Sequence, residues 1–277
     1  MLRSFVVSAA LLSCFASAGW AQSPSAPTAP ATSASAKLHA KKPATKAKAA
    51  AKQPVAAGSG PCGIGVIAAT GDLFTVQKIG LTIFGIEFAE VPTPWGFDDL
   101  IFARVRAAAG AVPVRRINFA KGAFDSYYHP KPNLFRDGRG EFTTLIRQIA
   151  GNIGCERYVV VTRFDGQLDG TNQTLSGVGI VNRGTSLLSR TYLFAYIKVA
   201  VFDGHTFEIR RDPLESFEAR LARVAANLTK NENMREIDNS AFPATPPEAA
   251  NSATLRDGAR GLLAERLDQI LPAYFKE

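Results

Sequence analysis

The chain has 277 residues, of which 46% are hydrophobic and 20% charged, so it can form a domain with a substantial core. Seven units of its net charge of +8 arise in the first 60 residues, which contain no acid, because all 24 acidic residues but only 25 of the 32 basic ones lie from residue 61 onward. A nearly neutral domain does not attract a polyanion as a whole, so nucleic acid is excluded as its partner.

The first 21 residues have the three parts of a secretory signal peptide. Arg3 supplies the positive charge, an apolar stretch runs from Phe5 to Phe15, and small residues lead to Ala21. The apolar stretch is shorter than the roughly 20 residues of a spanning helix. We therefore predict export to the periplasm, removal of residues 1–21, although cleavage after Ala18 fits equally well, and a mature chain with no integral membrane segment.

An alternative fate for the amino terminus depends on Cys14. The residues Leu11-Leu12-Ser13-Cys14 resemble the lipobox of bacterial lipoproteins, in which the cysteine is lipidated. The apolar character continues past Cys14 to Trp20, which favours an ordinary signal with a cysteine in its apolar core. Anchoring through Cys14 remains the alternative.

Residues 22–60 are predicted to be a disordered linker. They consist almost wholly of Ala, Pro, Ser, Thr and Lys, and only Leu38 and Val55 are larger aliphatics. Such a segment cannot bury enough apolar surface to offset its ordering entropy. The linker contains six lysines: Lys37, Lys41, Lys42, Lys46, Lys48 and Lys52. One hypothesis is that they bind an anionic lipid or cell-wall surface; the alternative is that the linker is only a soluble spacer.

The remaining residues, 61–277, are predicted to form a single domain. Alternating and β-branched apolar runs predict strands over 64–70, 74–79, 80–90, 112–119, 157–164, 175–181 and 191–202. Asp203-Gly204 predicts a hairpin turn that leads to a return strand over 206–210. Apolar spacing and end signals predict helices from Asp98 or Asp99 to Ala109, then over 142–152, 213–228 and 253–271, with Pro272 as a stop.

The order of these elements indicates the fold class. A helix followed by a strand occurs twice in the middle of the chain, and a block of three strands precedes the final helices. This order predicts an α/β (α+β) sandwich with a mixed sheet flanked by helices.

The central layout resembles a group of bacterial envelope domains. A helix feeds the strand Arg157-Tyr158-Val159-Val160-Val161, and the strands 177–181 and 192–202 follow, with the turn Asp203-Gly204-His205-Thr206-Phe207. This layout is similar to the TolB amino-terminal, CsgG and LpoB type, whose turn reads Asp-x-x-Thr-Gly; here the final Gly is missing. The resemblance implies a non-catalytic envelope interaction module.

Two cysteines, Cys62 and Cys155, remain after the predicted signal. In an oxidising compartment an even pair most simply forms one disulfide, so a disulfide is predicted. Two buried free thiols are the alternative.

A polar and aromatic cluster is the candidate site of an enzyme. Tyr127, Tyr128 and His129 lie on a long loop, and Asp165 and Asp169 belong to a second loop between strands. The second loop has acids where a calcium loop would have them. However, Gln167 and Ser176 stand at two further ligand positions, so no metal or other cofactor is predicted.

The loop between the last two central strands is a candidate docking site. Arg183 and Arg190 flank Leu187 and Leu188. If exposed, the leucines would dock on protein or lipid; the alternative is that they fold back onto the core.

The common signatures of nucleotide-binding proteins, proteases and hydrolases are missing from the sequence. This favours a non-catalytic periplasmic interaction or accessory module. Its expected partner is another envelope protein, or an anionic surface contacted by the linker. An enzyme with a site near Tyr127, Tyr128, His129 and Asp165 is the alternative.

Overall fold

The computed structural model describes residues 61–80, 85–132, 136–151, 153–168, 171–184, 189–210 and 231–275. They belong to one compact unit that spans Val55–Glu277. The predicted signal peptide, Cys14, the linker and the predicted helix over 213–228 lie outside the described residues. Within the described part, no helix combines the length and the apolarity needed to cross a bilayer.

The described strands are β1 (Ile64–Ala69), β2 (Leu73–Ile79), β3 (Ile86–Pro92), β4 (Val114–Arg116), β5 (Arg157–Arg163), β6 (Asp165–Gln167), β7 (Thr174–Arg183), β8 (Arg190–Asp203) and β9 (Met234–Ile237). The described helices are α1 (Phe97–Ala108), α2 (Asp125–Tyr128), α3 (Gly138–Ala150) and α4 (Ala253–Phe275), with short 3-10 helices at Asn239–Ala241 and Pro246–Asn251.

The strands form one mixed sheet whose connected order is β3-β2-β7-β8-β5-β1-β4, with β6 beside β7 and β9 beside β8. Strand β1 is parallel to β4 and β5, and β2 is parallel to β7, whereas the other pairs are antiparallel. Strand β8 joins two halves of the sheet: residues 190–196 pair with β7 and residues 197–203 pair with β5. The predicted α/β fold with a mixed, helix-flanked sheet is confirmed.

Apolar side chains on both faces of β5 place it at the centre of the core. Val159 and Val161 pack with residues of α1 and α4, whereas Tyr158 and Val160 pack with residues of α3. A strand with apolar side chains on both faces must be covered on both sides, and helices on both faces satisfy that requirement.

The observed helix ends differ from the predicted ones for local reasons. Helix α1 begins at Phe97, where Asp72 accepts a hydrogen bond from the Phe97 N–H at 3.2 Å. Asp98 and Asp99 therefore lie in its first turn. Helix α3 begins four residues before the predicted Phe142, because Asp137 accepts from the Gly140 N–H at 2.9 Å and caps it there.

The prediction that Pro272 stops the last helix is wrong. Helix α4 continues to Phe275. Proline removes one backbone donor near the end of a helix, but Leu271 is buried and the Tyr274 hydroxyl donates to the Val199 carbonyl at 3.2 Å. These contacts hold the last turn against the sheet.

Several predicted strands are shorter in the structure. Strand β3 starts at Ile86 instead of Gly80, and β4 covers only Val114–Arg116. The predicted return strand over 206–210 is reduced to one bridge between Phe202 and Ile209. Phe207 has a φ of 61°, which takes the chain out of extended geometry. Conversely, β9 forms between the last two predicted helices, where no strand was predicted.

Candidate functional site

The two predicted tyrosines lie beside the carboxyl ends of β1 and β5. Tyr127 and Tyr128 lie on the short helix α2, with ring centroids 5.4 Å apart. Tyr127 also stacks on Phe142 of α3 at 4.6 Å. The long loop in which they were predicted thus folds back as a packed helical turn.

The Tyr128 hydroxyl joins two strand ends. It donates to the Ala69 carbonyl and accepts from the Arg163 N–H at 3.3 Å, while the Arg163 guanidinium lies 4.2 Å from the centre of its ring. Burial raises the pKa of Tyr128 to about 12. The hydroxyl therefore stays protonated at neutral pH and serves as a structural bridge.

The guanidinium of Arg163 forms an ion pair with Glu90 of β3 at 2.6 Å, and these side chains are 10% and 28% exposed, respectively. Arg163 therefore connects the end of β5 to β3, which is the first strand in the sheet order. Because the pair is largely removed from solvent, it stabilises this arrangement only as long as both charges are present.

Asp98 holds the turn after β1. Its carboxylate accepts from the Thr70 N–H, the Thr70 hydroxyl and the Gly71 N–H at 3.1, 2.7 and 3.2 Å. Burial raises the pKa of Asp98, and the hydrogen bond from the Thr70 hydroxyl opposes that shift. The carboxylate fixes the turn that leads into β2.

The remaining members of the predicted cluster are dispersed. His129 lies at the end of α2, and Asp165 is the exposed first residue of β6. Burial raises the pKa of Tyr127, a hydrogen bond with Thr162 and the charge of Arg136 lower it, and the charge of Asp165 raises it. Asp169 lies outside the described residues, which contain no group of three or more His, Cys, Asp or Glu able to hold a metal.

The predicted disulfide is present. Cys62 and Cys155 are bonded, with their Cα atoms 4.5 Å apart and a sequence separation of 93. The bond joins the residues before β1 to the turn between α3 and β5, and both cysteines are buried.

Only the two arginines of the predicted docking loop are described. Arg183 and Arg190 are register partners at the ends of β7 and β8. Leu187 and Leu188 lie outside the described residues.

The sequence did not predict a basic cleft of about 540 Å³ beside the second half of β8. Helix α2, the start of α3, β8, the chain after it and α4 all contribute to its lining: Tyr127, Arg136, Gly138, Arg139, Phe142, Lys198, Val199, Ala200, Val201, Ile209, Arg210 and Tyr274. We call this site the basic cleft.

The four cationic side chains of the basic cleft differ in how they are paired. Arg136 contacts Glu141 at 2.7 Å, and Arg210 contacts Asp203 at 3.7 Å. In the part of the chain that the structure describes, Arg139 and Lys198 have no carboxylate partner, and both are exposed. Positive charge in the cleft is therefore not neutralised by the described part of the domain.

Sequence reasoning missed the cleft because its cations are far apart along the chain. One signal was nevertheless available. Lys198 is the single charged residue in the strand segment from Tyr192 to Phe202, and a charge in such a strand needs solvent or an anionic partner. The convergence of Lys198 with Arg136 and Arg139 follows only from the packing of α3 against the sheet.

The chain matches no known protein-family model, and no curated protein or solved structure shows significant similarity to it. The resemblance in layout to envelope domains therefore stays a prediction. The functional argument depends on the geometry of the described residues.

Proposed function

We propose that this chain is an exported, non-catalytic interaction module of the bacterial cell envelope and that its domain binds an anionic partner in the basic cleft. One observation carries the proposal: Arg139 and Lys198 line the cleft without a carboxylate partner among the described residues. Unneutralised cations around a concave surface favour binding of an anion.

The polar cluster supports a non-catalytic role. A general base must be able to accept a proton near the working pH. The Tyr128 hydroxyl is engaged in two hydrogen bonds and has a pKa of about 12. Arg163 and Glu90 are paired with each other. These groups hold strands together, which leaves the cleft as the better candidate for contact with another molecule.

Export is part of the same proposal. It is based on the predicted signal peptide, and the Cys62–Cys155 disulfide supports it. Disulfides persist mainly in oxidising compartments. In this proposal the lysine-rich linker contacts an anionic surface of the envelope and keeps the folded domain close to its partner.

Lysine footprinting tests the proposal even though the partner is unidentified. The full chain is exported by a bacterial host, and Lys198 acetylation is compared in the envelope extract and in the purified protein. We expect Lys198 to react less in the extract, because a bound anion covers it. Lys121, which is exposed outside the cleft, should react equally in both. Equal reactivity of Lys198 in the two samples would contradict the proposal.

An enzyme that uses the cleft is a second hypothesis, favoured by one observation. Tyr127, a member of the predicted catalytic cluster, lines the cleft, and the charge of Asp165 helps to raise its pKa. Since burial raises its pKa, Tyr127 would donate a proton instead of accepting one. To decide between the two hypotheses, a ligand captured by the protein is incubated with it and then analysed by mass spectrometry. An unchanged ligand supports a binding module. Chemical conversion of the ligand that is lost in Tyr127→Phe supports an enzyme.

A further inference from the structure

The walls of the basic cleft indicate more than a positive charge. Four of its lining residues are buried in the two cores, Val199 and Val201 beneath α4 and Phe142 and Ala200 beneath α3. The half-buried side chains of Tyr127, Ile209 and Tyr274 supply its accessible apolar surface. Tyr274 closes one side, and its hydroxyl is directed to the Val199 carbonyl. The cleft therefore combines exposed cations with half-buried aromatic and aliphatic side chains.

The size of the cleft favours a ligand larger than a simple ion. A cavity of about 540 Å³ falls within the range of roughly 300–1,000 Å³ that is typical of sites for small organic molecules. A hydrated inorganic anion would contact the cations but leave the aromatic and aliphatic walls against water. Filling those walls with an apolar body releases that water, which is favourable.

The cations define the anionic end of the ligand. Arginine presents a planar set of donors that matches a carboxylate or phosphate, whereas lysine acts as a mobile point charge. Arg139 lies in the first turn of α3 and Lys198 in β8, so two separate elements each place a cation in the same cleft. Both have exposed side chains without a carboxylate partner in the described part of the chain.

We infer that the basic cleft binds an amphipathic anion, in which a single phosphate or carboxylate group is attached to an apolar body. The inference rests on the proposed function and specifies the chemistry of the ligand. The anionic group contacts Arg139 and Lys198, and the apolar body packs against Tyr127, Tyr274 and Ile209. An alkyl phosphate of lipid origin and an aromatic phosphate share this chemistry.

Calorimetry on the full mature chain tests the inference with four probes below their micelle concentrations: dodecyl phosphate, naphthyl phosphate, inorganic phosphate and the uncharged dodecyl maltoside. We expect at least one of the two organic phosphates to bind at least about tenfold more tightly than inorganic phosphate or the maltoside. Its binding should show a negative heat-capacity change, the marker of apolar burial. The tighter of the two organic phosphates identifies the apolar body as an alkyl chain or an aromatic ring.

Charge-reversal variants locate the binding site. Arg139→Glu and Lys198→Glu should each weaken the tighter organic phosphate by about tenfold or more, since each removes a charge-assisted contact. Arg106→Glu and Lys121→Glu are matched controls, because both residues are exposed and lie outside the cleft. Affinity should also fall as salt increases.

Three results would overturn the inference: inorganic phosphate binding as tightly as the organic phosphates, no binding of either organic phosphate, or equal effects of the cleft and control variants. The acetylation of Lys198 in envelope extract distinguishes failure of this inference from failure of the proposed function. Protection of Lys198 together with failure of the probes would mean that the cleft binds an anion of another class. An unprotected Lys198 would count against the proposed function itself.

Discussion

At the scale of single residues, Tyr128 is the clearest case of a side chain whose chemistry stabilises the fold. Its hydroxyl bridges Ala69 of β1 and Arg163 of β5, and its ring faces the guanidinium that pairs with Glu90. One phenol thus connects two strands directly, and a third through Arg163, at the carboxyl ends of β1 and β5. The same burial that makes this bridge effective makes ionisation of the phenol unfavourable.

We expect Tyr128 to make the stability of the domain fall in alkaline solution. The unfolded tyrosine loses its proton near pH 10, whereas the folded one holds it to about pH 12. Above pH 10 the folded state binds the extra proton, so the free energy of unfolding decreases as pH rises, by about 1.4 kcal/mol at pH 11 relative to neutral pH.

Urea unfolding of the wild type and Tyr128→Phe at pH 8 and pH 11 measures this effect. The variant should be less stable at pH 8, by about 1–3 kcal/mol, because it leaves the Ala69 carbonyl and the Arg163 N–H without their partner. The difference between the two proteins should narrow at pH 11. A constant difference would show that the Tyr128 hydroxyl ionises as readily in the folded state as in the unfolded one.

Two glutamates of β3 provide a matched pair of substitutions. Glu90→Gln leaves the 10% exposed Arg163 without its counter-charge, and we expect it to lower the free energy of unfolding by about 2 kcal/mol. Glu87→Gln breaks the exposed pair with Lys78, whose side chains are 72% and 52% exposed, and should cost less than about 0.5 kcal/mol. Equal urea midpoints for the two variants would contradict this difference.

At the scale of elements, the position of α3 depends on its cap. Asp137 accepts from the Gly140 N–H and starts the helix at Gly138, which puts Arg139 in the first turn beside the basic cleft. The acid also suits the positive end of the helix dipole. The cap therefore links a local hydrogen bond to the placement of a cation that we propose binds the ligand.

Removal of this cap should destabilise α3. We expect Asp137→Ala to lower the free energy of unfolding by about 1 kcal/mol, whereas Asp137→Asn, which still offers an oxygen acceptor, should be nearly neutral. Urea unfolding followed by circular dichroism compares the two variants. Equal losses would mean that the charge of Asp137, and not its hydrogen bond to Gly140, stabilises the helix.

At the scale of the whole molecule, β8 and the disulfide hold distant parts together. Strand β8 pairs with β7 through one half and with β5 through the other, so it carries both halves of the sheet. The Cys62–Cys155 bond ties the residues before β1 to those before β5, and these two strands are adjacent and parallel. The disulfide thus fixes one end of the parallel pair β1 and β5. Without it, only the long segment of chain between these two strands would connect them.

Loss of the disulfide should reduce stability strongly. For a sequence separation of 93, the chain-entropy model gives about 4.6 kcal/mol. We expect the double variant Cys62→Ala, Cys155→Ala to unfold at a correspondingly lower urea concentration and to be unaffected by dithiothreitol. Reductant should shift the wild type towards the variant. A wild type that unfolds at the same urea concentration with and without reductant, although fully reduced, would contradict the prediction.

Local patterns were sufficient for much of the fold. The apolar run of β5, the helical spacing from Leu255 to Ile270 and the pair of cysteines predicted a buried strand, the last helix and the disulfide. The predicted ends of helices were wrong where a contact with a distant residue determines the position at which the helix begins or ends. Helix α1 starts where Asp72 reaches Phe97, and α4 passes Pro272 because Tyr274 contacts β8. The positive φ of Phe207 interrupts the hairpin that Asp203-Gly204 predicted.

The chain's periodicity and composition were enough to assign most strands and helices and the α/β class, because a repeat of two or 3.6 residues is a property of neighbouring positions. Only the packing of the elements determines the order of the strands and the pairing of the two halves of β8 with β7 and β5. The same holds for the basic cleft. Arg136, Arg139, Lys198 and Arg210 converge because α3 lies on the sheet beside β8. A binding site assembled from distant residues has no local period, so it is visible only in the folded protein.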